Sequence, residues 1–229
     1  MANPTAAAAN LFESIRKGNA FAVDTTTGAD PSLLRARDAD GGSVVVTALR
    51  SGHSGLAEHL ADLLLATDDG LDIFDAAAVG NLTEIRKLLA ADRADVDDRG
   101  LDGYSPLHLA AEFGQLETAR LLLGRGADPN AVSMNELRAT PLHTAISAGH
   151  RDTTSIMLAL GGSPNAIQRG GVSALHLAAH RGDEAVVDML LLRGADATRR
   201  TDAGQTAAEL ADEIGHAALA RILRNAAKR

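Results

Sequence analysis

The sequence predicts an all-α solenoid of about seven helix–turn–helix units with short hairpin arms, and three observations predict it. Glycines followed by a polar or charged residue recur at Gly18, Gly52, Gly80, Gly114, Gly149, Gly182 and Gly215, at intervals of 34, 28, 34, 35, 33 and 33 residues. Such spacing marks stacked supersecondary units rather than a unique globular fold. Hydrophobic residues make up 45% of the 229 positions while aromatic residues make up only 2%, so Ala and Leu fill the interior, as suits close helix packing. Between the glycines one order repeats: a cap residue, a short Ala-rich helix, a second helix and a polar segment.

The clearest copy, GYSPLHLAAEFGQLETARLLLGRGADPN, runs from Gly103 to Asn130. Ser105 can cap the first helix, and Pro106 suits its first position, where a missing N–H costs nothing. Ala110 and Ala111 let another backbone approach closely, and Gly114 breaks the helix. A second helix follows from about Leu116, with Ala119, Leu122 and Leu123 on its apolar side. Gly126 ends it, because glycine tolerates the left-handed conformation at a helix C-terminus. The ADPNAV segment beyond reads as an extended arm leading to a tight turn.

The order returns as TPLHTAISAGH from Thr140 to His150 and as SALHLAAHRGD from Ser173 to Asp183. These stretches resemble the ankyrin repeat family, whose signature contains a TPLHxAA stretch and a GAD ending at a period near 33. The resemblance covers residues 69–229, which read as ankyrin repeats with a C-terminal capping repeat. Residues 1–68 read as degenerate N-terminal ankyrin-like repeats: Gly18 and Gly52 keep the phase, but Val44, Val45 and Val46 replace the Pro-Leu-His run. The last copy carries Glu209 in the His slot and no following GAD, as expected of a unit whose outer face meets water. Phe12 and Phe74 are expected in the His slot of the first and third copies. The short interval from Gly52 to Gly80 predicts a junction without a hairpin near residues 66–71.

Composition narrows the function classes. With no Cys, the chain has no disulfide framework, thiolate zinc site or thiol nucleophile. A formal charge of −8 and the lack of stacking aromatics argue against nucleic-acid binding. The N-terminus has no basic leader before its short Ala run and is too short to span a membrane. A soluble, cytoplasmic monomer without a membrane role is the expectation.

Eight His residues raise metal or catalytic chemistry. His108, His143 and His176 each lie three residues after a Ser or Thr, and the resemblance implies a structural role: the imidazole bonds the cap hydroxyl and reaches a neighbouring repeat's backbone. Equivalent His residues on packed helices stand roughly 10 Å apart, too far to share one zinc ion. His53, His150 and His216 follow helix-ending glycines and read as loop residues. The carboxylates at Asp95, Asp97 and Asp98, and those at Asp38 and Asp40, fall in arms and read as solvated turns. HExxH, GxxxxGK[ST], GxSxG and GxGxxG motifs are absent. Neither an enzyme nor a cofactor is expected.

The resemblance implies a module that binds another protein as a scaffold, adaptor or inhibitor, through arm tips and the exposed end of each first helix. Mapped copy by copy, the contact positions are Arg99, Leu101, Asp102, Tyr104, Glu112 and Phe113, then Met134, Glu136, Leu137 and Ser147, then Arg169, Val172, His180 and Arg181. Tyr104, Phe113, Leu101, Met134 and Leu137 would be apolar anchors exposed to water. The arm from Gly126 to Thr140 is two residues longer than those from Gly161 to Ser173 and Gly194 to Thr206. Extra length in a surface arm costs little and often serves contact. The alternative is a small-molecule or metal-binding regulatory protein using the groove near Arg169, His180 and Arg181.

Overall fold

A computed structural model describes residues 6–92 and 94–228. Fourteen α-helices form seven successive pairs among them, and the chain divides into two compact units, Met1–Pro106 and Leu107–Arg229. The first unit holds α1 (Ala6–Arg16), α2 (Ala20–Ala29), α3 (Val44–Arg50), α4 (Ser54–Leu65), α5 (Ile73–Val79) and α6 (Leu82–Ala90). The second unit, with α7 (Pro106–Glu112) starting at the boundary, continues through α8 (Leu116–Gly124), α9 (Pro141–Ala148), α10 (Arg151–Ala159), α11 (Ala174–Arg181), α12 (Glu184–Leu192), α13 (Ala207–Ile214) and α14 (Ala217–Ala226).

Each pair is too small to hide its own apolar face, so neighbours do it. In the first unit α3 packs against α1, α4 and α5; in the second, α11 packs against α9, α12 and α13. The buried layer is mostly Leu and Ala, with Val and Ile among them: Leu11, Ile15, Leu60, Leu64 and Ala76–Ala78 in the first unit, Leu107, Leu122, Leu142, Ala178 and Ala179 in the second. Ala lets backbones approach, and Leu from both the first (inner) and the second (outer) helix of a pair fills between them.

The arms are held mostly by side chains rather than by strand pairing. The described residues contain one two-stranded hairpin, β1 (Ile167–Gln168) with β2 (Val172–Ser173), and single bridges at Arg37–Ser43 and Arg200–Thr206. Asn130 does what a strand would do elsewhere: its Nδ2 donates to the Gly161 carbonyl at 2.9 Å and its Oδ1 accepts from the Ser163 N–H at 2.7 Å. Asn165 repeats both bonds one copy later, to Gly194 and Asp196. A side-chain amide thus stands in for a peptide group and fixes each arm to the next. The link at residues 66–72 carries no hairpin, as the short glycine interval predicts; Arg35 donates instead to the Gly70 carbonyl (2.7 Å) and the Thr67 hydroxyl (3.2 Å).

The opposite edge is organised by the residues that follow the glycines. His150 lies across Gly114, and its Nε2–H donates to the Glu112 carbonyl at 3.0 Å. A Cβ on Gly114 would stand 2.6 Å from the His150 ring, and its φ of +68° already excludes most side chains. His53 covers Gly18 and His216 covers Gly182 in the same way. Where Asp183 follows the glycine instead, Arg181 takes over, covering Gly149 and donating to the Ser147 carbonyl at 2.7 Å. His53, His150 and His216 are therefore lids on the preceding copy's helix terminus, not free loop residues.

Gly126, at φ +95° with open space around it, separates conformational strain from lost room. In urea denaturation, Gly126→Ala should cost about 1 kcal/mol, the left-handed penalty alone, whereas Gly114→Ala should cost about 2–4 kcal/mol because the His150 lid is displaced as well.

Candidate functional site

The buried imidazoles set the geometry of every arm in the second unit. His143 is the third residue of α9, and the Thr140 N–H donates to its Nδ1 at 3.3 Å. That fixes Nδ1 as the acceptor, so the proton sits on Nε2, which donates to the Ala166 carbonyl in the next arm at 3.1 Å. The Thr140 hydroxyl, 2.8 Å away, also turns to Nδ1. His176 does the same between Ser173 and the Gln205 carbonyl, and His108 donates to the Ala139 carbonyl at 2.9 Å. Burial holds the His143 pKa down at about 4, against the pull of its backbone hydrogen bonds, and lowers that of His176. All three are structural histidines, and burial holds His143 and His176 neutral. In the last copy Glu209 replaces the imidazole and closes a capping box with Thr206.

In the first unit the slot belongs to Asp75, not to Phe74. α5 is capped by Asp72 and has 7 residues where α9 and α11 have 8, so counting back from Gly80 lands one residue short. Phe12 is buried in α1, and its ring lies 6.0 Å from the Arg16 guanidinium.

On this frame the expected contact residues fall into distinct environments. In the first unit Leu101 projects from its arm, 79% exposed, on a backbone that Gly41 touches so closely that a Cβ there would stand 2.5 Å from the Leu101 carbonyl carbon. Asp102 pairs with Arg50 at 3.0 Å and accepts from the Tyr104 N–H at 3.1 Å. Tyr104, expected at the surface, is only 8% exposed, its ring lying 5.5 Å from the Arg50 guanidinium. It packs rather than projects. Arg99 is half-buried, donating to the carbonyls of Asp97 and Asp98.

In the second unit the long arm between α8 and α9 is built to present apolar side chains. Buried Ser133 donates its N–H to the Ala139 carbonyl (2.8 Å), and its hydroxyl accepts from the Ala139 N–H (2.9 Å) and donates to Asn135 Oδ1 (2.8 Å). Asn135 Oδ1 also accepts from the Leu137 N–H at 3.2 Å, and the turn closes at Arg138, whose φ is +50°. Outside this knot stand Met134, 77% exposed, and Leu137, 50% exposed. The next arm joins it: Arg169 donates its N–H to the Leu137 carbonyl (2.9 Å) and pairs with Glu136 (2.6 Å). Met134, Glu136, Leu137 and Arg169 are thus one surface. Ser147, His180 and Arg181 are exposed around the inner-helix ends, and Glu112, Phe113 and Val172 are half-buried.

Little in either unit is poised for bond making. A shallow cavity of about 500 Å³ is lined by His150, Arg151, Asp152, Thr153, Arg181 and Asp183, but Arg151 grips Asp183 with two bonds of 3.0 and 2.9 Å. Arg169 and Arg181, the cations of the alternative groove, are engaged with Glu136 and the Ser147 carbonyl. Among the described residues no three His, Asp or Glu side chains converge where a metal ion could be held, and no helix is long and apolar enough to cross a membrane.

The family description "Ankyrin repeats (3 copies)" matches residues 45–133 and again residues 131–201. The chain belongs to the ankyrin repeat family. It is 39% identical over 138 residues to "Ankyrin repeat and SOCS box protein 3" of Bos taurus, covering 59% of this chain and 26% of that protein. It is 32% identical over 146 residues to "Ankyrin repeat and KH domain-containing protein mask-1" of Caenorhabditis elegans, covering 64% of this chain and 6% of that one. "Protein phosphatase 1 regulatory subunit 12A" of Mus musculus is 37% identical over 75 residues, 33% of this chain and 7% of the subunit. The chain spans about a quarter or less of the length of these relatives. Ankyrin repeats are generally protein–protein interaction modules and typically carry no catalytic activity, and the all-α stack of helix pairs is the form expected of them.

The locked imidazole makes the ankyrin frame acid-sensitive. Unfolded His143 takes up a proton below about pH 6.5 and folded His143 only near 4, so its stabilisation is full above 6.5 and fades as pH falls between them. His143→Gln should cost about 2 kcal/mol at pH 7 and flatten the urea-unfolding profile across that window.

Proposed function

We propose that this ankyrin-repeat chain is a scaffold, adaptor or inhibitor that captures one partner protein through its arm tips and inner-helix ends. The observation that carries the reading is the Ser133–Asn135–Ala139 knot, which orders a long arm while leaving Met134 and Leu137 in water. Ordered, exposed apolar side chains flanked by the Glu136–Arg169 pair have the anchor-and-rim layout of interfaces. Pre-ordering also lowers the entropy lost on binding. Arg99, Leu101 and Asp102 would contribute from the first unit, and Glu112, Phe113, Ser147, Val172, His180 and Arg181 from the second. Tyr104 supports its arm from beneath.

On this reading the chain works as a cytoplasmic monomer without a cofactor, and its partner is neither nucleic acid nor membrane. The net charge of −8 supports a protein partner over a nucleic acid. The repeats from residue 69 onward carry the contact and those of residues 1–68 extend or cap it.

Pull-down from the native cell extract with mass spectrometry identifies the partner, and variants then test the surface. A Met134→Ala/Leu137→Ala double variant should weaken capture about tenfold or more with an unchanged melting temperature. Tyr104→Ala should lower the melting temperature, at a cost of about 3 kcal/mol. A double variant that melts early, or captures as well as the parent, overturns the assignment of this surface.

A further inference from the structure

Asp75 occupies the slot that holds a buried imidazole in three later helix pairs, and it is only 2% exposed. Its carboxyl meets the hydroxyl of Ser43, the residue that caps α3 and accepts from the Val46 N–H at 3.0 Å. The charged groups around it are Asp72 at the head of its own helix, and Arg35 and Arg37 from the segment before α3. Neither arginine is committed to Asp75: Arg37 pairs with Asp72 at 2.8 Å, and Arg35 is bound to Gly70 and Thr67. Of the helices packed on α5, α6 brings the buried Glu84, which is paired with Lys87 at 3.0 Å. The acids of α4, Glu58 and Asp62, are exposed, and Arg50 of α3 is paired with Asp102. A carboxylate here would be a buried charge with one neutral hydroxyl for company, next to a second carboxylate.

We propose that Asp75 and Ser43 form a proton-operated latch between α5 and α3, closed when Asp75 is a neutral acid and loosened when its proton leaves. The Ser43 hydroxyl donates to the Asp75 carboxyl while its oxygen accepts from the Val46 N–H and caps α3. When Asp75 loses its proton, this one bond and the two arginines only partly offset a charge buried in the seam beside Asp72. Burial, then the charge of Asp72, pushes the Asp75 pKa up to about 7, against the Ser43 hydrogen bond and the two arginines. The unfolded carboxyl ionises near its ordinary 3.8, so the latch contributes fully below about pH 4, fades as pH rises and is gone above about 7. Ser43 also ends the arm whose Gly41 supports Leu101, so an open latch slackens that contact position.

The test is a carboxyl ¹³C NMR titration of the full-length chain, with Asp75 assigned by triple-resonance spectra. The Asp75 resonance should titrate near neutral pH, at least two pH units above the ordinary aspartate value of 3.8, and Ser43→Ala should move its midpoint further up. In urea, the unfolding midpoint of the parent should fall more steeply between pH 5 and 8 than that of Asp75→Asn. An Asp75 midpoint below pH 5 overturns the latch, as does a folded Asp75→Asn chain with the parent's slope. The NMR arm uses the parent protein, so a variant that fails to fold leaves the proposal decided by it.

Discussion

In the second unit a hydrogen-bond relay ties inner helices to the arm that follows: at His143 and His176 from cap hydroxyl to imidazole Nδ1 and from Nε2 to a carbonyl in the next arm, and at His108 from Nε2 to the Ala139 carbonyl. The imidazoles of His108, His143 and His176 are buried, so each bond is made away from competing water and each missing partner would leave a buried polar atom unsatisfied. The relay also couples neighbouring copies. An inner helix cannot satisfy its own third residue until the next arm is in place, which ties polar satisfaction to stacking as firmly as the apolar layer does. Cooperation between neighbours follows from chemistry at one position.

The other edge is fastened differently. There a ring or guanidinium covers a left-handed glycine and donates to a carbonyl at the end of the preceding inner helix, as His150 does on Gly114 and Arg181 on Gly149. With both edges tied, most of the side chains proposed for recognition are ones that neither fastening uses, Arg181 excepted. In the second unit these are the tips beyond Ser133 and the inner-helix residues that face water. Rigidity below and freedom above suit a surface that can change sequence without disturbing the frame.

Much of this was legible in the sequence for a simple reason: the frame is local and repeated. Glycine spacing gave the helix pairs, Pro106 and Pro141 marked helix starts, and the excess length between Gly126 and Thr140 pointed to the arm where Met134 and Leu137 emerge. What escaped depends on partners one copy away. The lids on Gly18, Gly114 and Gly182 look like ordinary loop histidines until the preceding copy is laid beneath them. Tyr104 reads as an exposed anchor because Arg50, which covers it, lies in an earlier copy. Asp75 was hidden by one residue of slack, since α5 closes its turn sooner than its counterparts and shifts the count from Gly80. The Glu136–Arg169 pair joins two tips that sequence alone treats as separate.

The amide of Asn130 reads its neighbour by backbone alone, one carbonyl and one N–H, with no regard to which side chains that neighbour carries. Asn165 makes the same two bonds, and at the equivalent Thr198 the hydroxyl turns back to Asp196 within its own arm. Joints of this kind are interchangeable. A gene that duplicated or dropped one whole copy would present the same amide to the same backbone groups and heal without a scar, whereas a cut of half a copy would strand it. Between these two arms the joint therefore fixes a whole-copy step and leaves the tip side chains free to differ.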